Sequence, residues 1–274
     1  MKAVAETLEV ARSHLHDKVR HSTKPRGPYR KPDDVLMPLV RGLVDERPTY
    51  GYRRITALAN RERARAGEPA VNHKRVFRIM RQNGMLLARH TGRRTGRVHD
   101  GKVIVMRSNL RWCSDGFEIS CWNGDLIRVA FIIDAHDREI IAWHAVVGSG
   151  ISGGMVRDMM LEAVERRFGA LRASAPIEWL TDNGSPYTAK ETRNFATALN
   201  LVACFTPVQS PESNGISESF VKTFKRDYAR VSPLPDAVTA LGKIAGWFED
   251  YNEIHPHSGL KMRSPREFIR AQTQ

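Results

Sequence analysis

Residues 112–133 read WCSDGFEISCWNGDLIRVAFII, and the pattern of this stretch decides the fold. Phe117, Ile119 and Cys121 alternate with polar neighbours between Trp112 and Cys121, as expected for a strand with one buried face. Asn123-Gly124 is a hairpin signal, because glycine accepts the positive φ that a tight turn demands. Leu126–Ile133 is then rich in β-branched and apolar residues, and a turn over Asp134–Arg138 leads to a third strand, Glu139–Val147. Gly148–Gly154 breaks this run. Beyond it the periodicity predicts a helix over Met155–Phe168, a buried strand over Pro176–Leu180, a helix over Ala189–Leu199 and a last strand over Leu201–Phe205. A further helix is opened by Ser210-Pro211. The order β-β-β-α-β-α-β-α implies an α/β layered domain.

Three carboxylates fall on these elements in a telling arrangement. Asp115 lies on the first strand, Asp182 just past the fourth, and Glu218 on the helix after the fifth; thirty-five residues separate Asp182 from Glu218. If the first and fourth strands are neighbours, the two aspartates meet at one sheet edge, and the helix brings Glu218 over them. Ile216, Phe220, Phe224 and Tyr228 recur every four residues on one face of that helix, with Asn214, Glu218, Lys222 and Lys225 as a polar stripe beside it. Glu218 and Lys225 are nearly two turns apart, so Lys225 is expected to reach DNA beside the carboxylates. Oxygen ligands of this kind suit Mg²⁺ (or Mn²⁺), and two such ions can drive in-line attack on a phosphodiester. Taken singly, each residue also has a plain structural reading: a turn at Asp182-Asn183-Gly184, a solvated helix position at Glu218, a strand start at Asp115.

Charge divides the chain. Residues 1–107 hold 25 Lys/Arg against 10 Asp/Glu, whereas residues 108–274 hold 18 against 20. A polyanion such as DNA would therefore be held mainly by the first part. There the pattern predicts a helix over 3–20, an extended basic linker over 24–32, and a helix capped by Asp33 or Asp34 with Leu36, Leu39, Val40, Leu43 and Val44 on one face. The helix after Tyr50-Gly51 turns Ile55, Leu58 and Ala59 inward and Arg53, Arg54, Arg61, Arg63 and Arg65 outward. In a third helix, residues 73–83, Asn72 caps, Val76, Ile79 and Met80 pack, and Gly84 stops the helix, while Lys74, Arg75, Arg78 and Arg81 face solvent. Three short helices with a basic last one form a helix-turn-helix-like region that would set that helix in the major groove. A cationic tether follows, with Arg93 and Arg94 placed to lie along DNA.

These motifs together resemble the second-frame (OrfB) transposases of insertion sequences, in the family numbered three and nearest its subgroup two, and more distantly retroviral integrases. The resemblance rests on Tyr50-Gly51-Tyr52-Arg53-Arg54-Ile55 with Val71–Val76, on Arg111–Gly116, on Leu180–Ser185, on Ser210–Phe220, and on the tail from Tyr251-Asn252 through His255-Pro256-His257 to Ser264–Phe268. It implies a ribonuclease H-like catalytic core in which Asp115, Asp182 and Glu218 are the acidic triad and Lys225 the basic residue seven positions on. It implies two metal ions, cutting and joining of DNA at element ends, terminal repeats and target DNA as partners, a homo-oligomer that pairs two ends, and an upstream-frame (OrfA) product as fusion partner. The zinc-binding His/Cys domain of retroviral integrases is not expected, since His14, His16 and His21 lack cysteine partners. The chain begins at a Met, and the helix-turn-helix and coiled coil of the upstream product are not expected in it.

The resulting division is an N-terminal helix and basic linker (1–32), a helix-turn-helix-like region (33–87), a basic linker (88–104), the catalytic core (105–230) and a C-terminal helical extension (231–274). Cys113, Cys121 and Cys204 form no CxxC pair and are expected to be free thiols, and no segment approaches the ~20 apolar residues of a membrane span, so a cytoplasmic, nucleoid-associated enzyme is expected. A tyrosine recombinase using Tyr228 or Tyr251 would leave the triad unexplained; His255 and His257 are read instead as packing the C-terminal helix onto the core. A DNA-binding regulator without catalysis, or a half-protein that needs its upstream partner, is the alternative of a different class.

Overall fold

The computed structural model describes residues 2–12, 33, 35–88, 105–148, 150–205 and 215–272. The chain forms two units, Met1–Pro38 and Leu39–Gln274. In the first, helix α1 (Lys2–Thr7) is much shorter than the helix expected over 3–20. Glu9 takes a φ of 49°, and a left-handed residue ends a right-handed helix. The remainder of that expectation, and the linker over 24–32, lie outside the described residues.

Three helices open the second unit: α2 (Met37–Glu46, begun in the first unit), α3 (Tyr52–Arg65) and α4 (His73–Gln82). Val40 and Leu43 of α2, Ile55, Leu58 and Ala59 of α3, and Val76, Ile79 and Met80 of α4 are buried, as their spacing predicts. The Asn72 side chain accepts the Lys74 backbone N–H at 2.8 Å, and Gly84 adopts a φ of 66° to stop α4. Not every arginine of α3 faces solvent. Arg54 pairs with Asp227 at 3.0 Å and Arg61 with Glu267 at 2.6 Å, so this face of α3 is clamped to the C-terminal half of the chain.

The sheet holds β1 (Arg111–Ser120), β2 (Leu126–Asp134), β3 (Ile140–Val147), β4 (Ile177–Thr181) and β5 (Leu201–Phe205), in the order β3-β2-β1-β4-β5. β1, β2 and β3 pair antiparallel, whereas β4 lies parallel to β1 and β5 parallel to β4. This mixed five-stranded sheet flanked by helices is ribonuclease H-like. Helices α5 (Gly153–Phe168), α6 (Ser185–Thr188) and α7 (Lys190–Ala198) pack on one face against Trp112, Ile132 and Trp179. The four-residue α6 was not expected; Pro186, with its preset φ, begins it.

The opposite face is covered by α8 (Gly215–Phe224), which runs into a π-turn over Lys225–Ala229, and by α9 (Ala237–Glu253). Phe220, Phe224 and Tyr228 pack there with Phe117, Phe131, Phe248 and Tyr251, and Ile216 joins at the edge. The face read from the four-residue repeat is thus the one that is buried. A 3₁₀ turn (Ser258–Leu260) and α10 (Pro265–Arg270) complete the chain. No helix among the described residues is long and apolar enough to cross a membrane.

Candidate active site

Strand pleat decides where the carboxylates point. Cys113, Phe117 and Ile119 of β1 and Leu180 of β4 enter the core beneath α8 and α9. Residues two apart share a face, so Asp115 belongs to this face as well, while Asp182 sits in the turn that directly follows β4. β1 and β4 are paired through Cys113 and Leu180, which sets Asp115 and Asp182 side by side, each two residues further on. Glu218 stands on α8 above them.

Electrostatics register this proximity. The Asp115 carboxyl is pushed up from 3.8 to about 6, first by burial and then by the charges of Asp182 and Glu218, against a lowering by the Gly116 N–H that it accepts at 2.7 Å. Asp182 is held by its own turn, its Oδ1 accepting the Gly184 N–H at 3.0 Å. Glu218 is exposed and meets the Lys222 ammonium at 3.1 Å. Among the described residues no three Asp, Glu, His or Cys side chains gather closely enough to hold a metal. The trio therefore shares one field without closing into a cage. Three hard oxygen donors whose mutual repulsion is already felt at Asp115 nonetheless suit a divalent, oxygen-seeking cation.

Two residues beside the site carry weight that the sequence left hidden. A Cβ at Gly184 would lie 3.0 Å from Asp182 Oδ1, so any larger residue here would press on this carboxylate and shift it. Tyr187 of α6 is buried with its hydroxyl 3.5 Å from Ser114 Oγ, and burial, with the charges of Asp115 and Asp182, pushes its phenol up. It packs against Trp179 on the sheet face opposite α8 and α9. The signal for both was Pro186, which starts a helix directly after the Asp-Asn-Gly turn.

Lys225 opens the π-turn, its ammonium 5.9 Å from the centroid of the Phe117 ring. In the helix-turn-helix-like region Lys74, Arg75 and Arg81 are exposed and Arg78 is half-buried. Arg93, Arg94, Asn214 and the Ser210-Pro211 cap lie outside the described residues. Tyr228 and Tyr251 are buried, and the Tyr228 hydroxyl donates to Asp250 at 2.8 Å, which leaves neither tyrosine as an accessible nucleophile. His255 is fully buried, its Nδ1 2.7 Å from the Tyr50 hydroxyl, and its pKa is lowered well below the usual imidazole value by burial and by His257. Both histidines join the aromatic packing of Tyr251, as expected. Cys113 and Cys121 are buried free thiols and Cys204 is a half-buried one.

Comparison with known proteins adds a second line of observation. Two integrase core domain families match residues 106–211 and 203–265, and an HTH-like domain matches residues 31–94. The transposase InsD of insertion element IS2D from Escherichia coli K12 is 51% identical over 272 residues, which is 97% of this chain and 90% of that protein. An uncharacterized protein of insertion element IS136 from Agrobacterium fabrum is 71% identical over 194 residues, 71% of this chain and all of the relative. Among solved structures, a simian T-cell lymphotropic virus intasome aligns over 84% of this chain and 73% of its own at 15% identity, with a TM-score of 0.49. The catalytic core domain of BIV integrase aligns over 60% of this chain and 97% of its own, with 18% identity and a TM-score of 0.39.

Proposed function

Given that the chain belongs to the insertion-element transposases with an integrase core domain, and is thus a polynucleotidyl transferase of the DDE superfamily with DNA as its partner, we propose that Asp115, Asp182 and Glu218 are its catalytic, metal-holding triad. The observation that carries this reading is the raised Asp115 carboxyl, which feels both other members. Two Mg²⁺ ions (or Mn²⁺), when bound, supply Lewis acidity for in-line attack on a phosphodiester.

Two steps follow, a hydrolysis and a transesterification. Water first attacks a phosphorus at the element end; the P–O bond to the 3′ oxygen breaks, and that oxygen leaves as a 3′-hydroxyl. The freed hydroxyl then attacks a target phosphodiester, exchanging one P–O bond for another, so no outside energy is needed. Asp115 and Asp182 hold their positions through the Gly116 and Gly184 N–H groups, and Glu218, which meets Lys222, would be the third oxygen ligand. Lys222, Lys225 and Asn214 would steady the reacting strand, and Lys74, Arg75, Arg78, Arg81, Arg93 and Arg94 the flanking duplex, largely through phosphates. The division at 1–32, 33–87, 88–104, 105–230 and 231–274 assigns recognition to the front of the chain and chemistry to the back.

A second reading is a half-protein that binds DNA and waits for the upstream-frame product, or for a second copy of itself, before it cuts. The open arrangement of the carboxylates, with Glu218 on Lys222, favours it. One experiment separates the two. A labelled duplex bearing the element's terminal repeat is incubated with the purified chain in Mg²⁺ and in EDTA, beside Glu218→Gln and Asp182→Asn. Mg²⁺-dependent nicking that both variants lose, with DNA binding retained, supports the first reading; binding without a cut supports the second; cutting by either variant refutes the triad.

A further inference from the structure

Beyond the triad, a cavity of about 350 Å³ opens between the outer end of β1 and the segment after the π-turn. Its walls include Glu118, Trp122, Lys225, Arg230, Ser232 and Leu234. Three properties set it apart from an ordinary surface dent. Trp122 lines it while 74% exposed, a large indole left in solvent. Its mounting is rigid: the Trp122 and Asn123 N–H groups donate to the Leu234 and Pro235 carbonyls at 2.9 and 3.2 Å, and the hairpin is closed by the Asn123 amide on Asp125 at 2.8 Å. Two cations, Lys225 and Arg230, share the walls, and the one acidic member, Glu118, is neutralised by Arg128 at 2.9 Å.

An aromatic plate and cations in one pocket are the chemistry that takes a nucleotide out of a stack. The ring offers a face to any base, and the cations meet the phosphate that follows it. A paired duplex hides its base faces, so such a pocket serves only an unpaired nucleotide, and its volume falls within the roughly 300–1,000 Å³ of small-ligand sites. The cavity is built on the same two elements as the proposed centre: Lys225 follows Glu218 by seven residues on one helical run, and Phe117, beneath Lys225, follows Asp115 on one strand. We infer that this pocket receives an unstacked nucleotide of the DNA strand that enters the carboxylates, with Trp122 as stacking platform and Arg230 and Lys225 as phosphate partners. The inference rests on the transposase reading above and extends it to how the DNA end is opened.

The test compares two versions of a terminal-repeat duplex, one fully paired and one with mismatched bases next to the cut site, in EDTA so that binding alone is read. The full chain is expected to bind the mismatched duplex about tenfold more tightly, since its bases need not be unpaired first. Trp122→Ala is expected to lose that preference, Trp122→Phe to keep it, and Arg230→Gln to weaken both complexes. Trp122 is exposed and its hairpin is held by backbone bonds, so these variants keep the fold. A strand carrying 5-iodouracil at the mismatch should photocrosslink to Trp122. Equal preference in the parent chain and in Trp122→Ala, or no preference in the parent, overturns the inference even if Mg²⁺-dependent cutting is intact. Failure to cut with the Trp122-dependent preference intact supports the half-protein reading and leaves the pocket standing.

Discussion

Neutralising Asp115 should make the metal-free fold more stable, not less. Its carboxyl stands at about 6 in the folded chain against an ordinary 3.8. Between these values the folded chain keeps a proton that the unfolded chain has released, so stability falls as pH rises through that window and stays reduced above it. About two pKa units correspond to roughly 3 kcal/mol, and partial exposure of the side chain screens this to on the order of 1–2 kcal/mol. Asp115→Asn removes the charge yet keeps an oxygen for the Gly116 N–H now accepted at 2.7 Å. For a chain of this size the gain is roughly 3–6 °C in Tm at pH 7.5 in EDTA. Calorimetry at pH 7.5 and at pH 5 measures it: the gap should narrow at the lower pH, where the parent's own Asp115 is largely protonated. Added Mg²⁺ should raise the parent's Tm and leave the variant's nearly unchanged. An Asn variant that melts at or below the parent at pH 7.5, or a gap indifferent to pH, refutes the electrostatic argument.

Two further outcomes follow from the packing. Gly184→Ala places a methyl 3.0 Å from Asp182 Oδ1, so single-turnover DNA cutting should fall at least about tenfold, the order of loss a displaced catalytic group causes, while circular dichroism and DNA binding remain those of the parent. Tyr50→Phe leaves a buried imidazole nitrogen without its 2.7 Å partner and should cost about 1–3 kcal/mol in urea unfolding; an unchanged midpoint would mean that this buried pair contributes nothing net.

Much of the chain was legible because its signals are local. Alternation in Trp112–Cys121 and the Asn123-Gly124 turn come within one residue of the observed hairpin, and Leu201–Phe205 is the observed fifth strand. The buried faces of α3 and α4 and the aromatic face of α8 follow from helical spacing alone. Where reading failed, the deciding partner was remote. Arg54 reads as one more solvated arginine until Asp227, 173 residues away, meets it. Helix α1 ends at Thr7, before the left-handed residue Glu9, an interruption that no periodicity announces.

Composition, spacing and turn chemistry by themselves therefore determined the element order, the partition of basic and acidic halves, and which carboxylates stand on which elements. Those properties repeat over a few residues, and hydrophobic period and turn preference express them directly. Tertiary structure alone decided that β4 lies parallel beside β1, that Gly184 is the residue shaping Asp182, that Glu218 rests on Lys222, and that Tyr50 and His255 meet 205 residues apart. Such pairings depend on how separate elements close on one another, and a side chain carries no mark of a partner that only the folded chain brings to it.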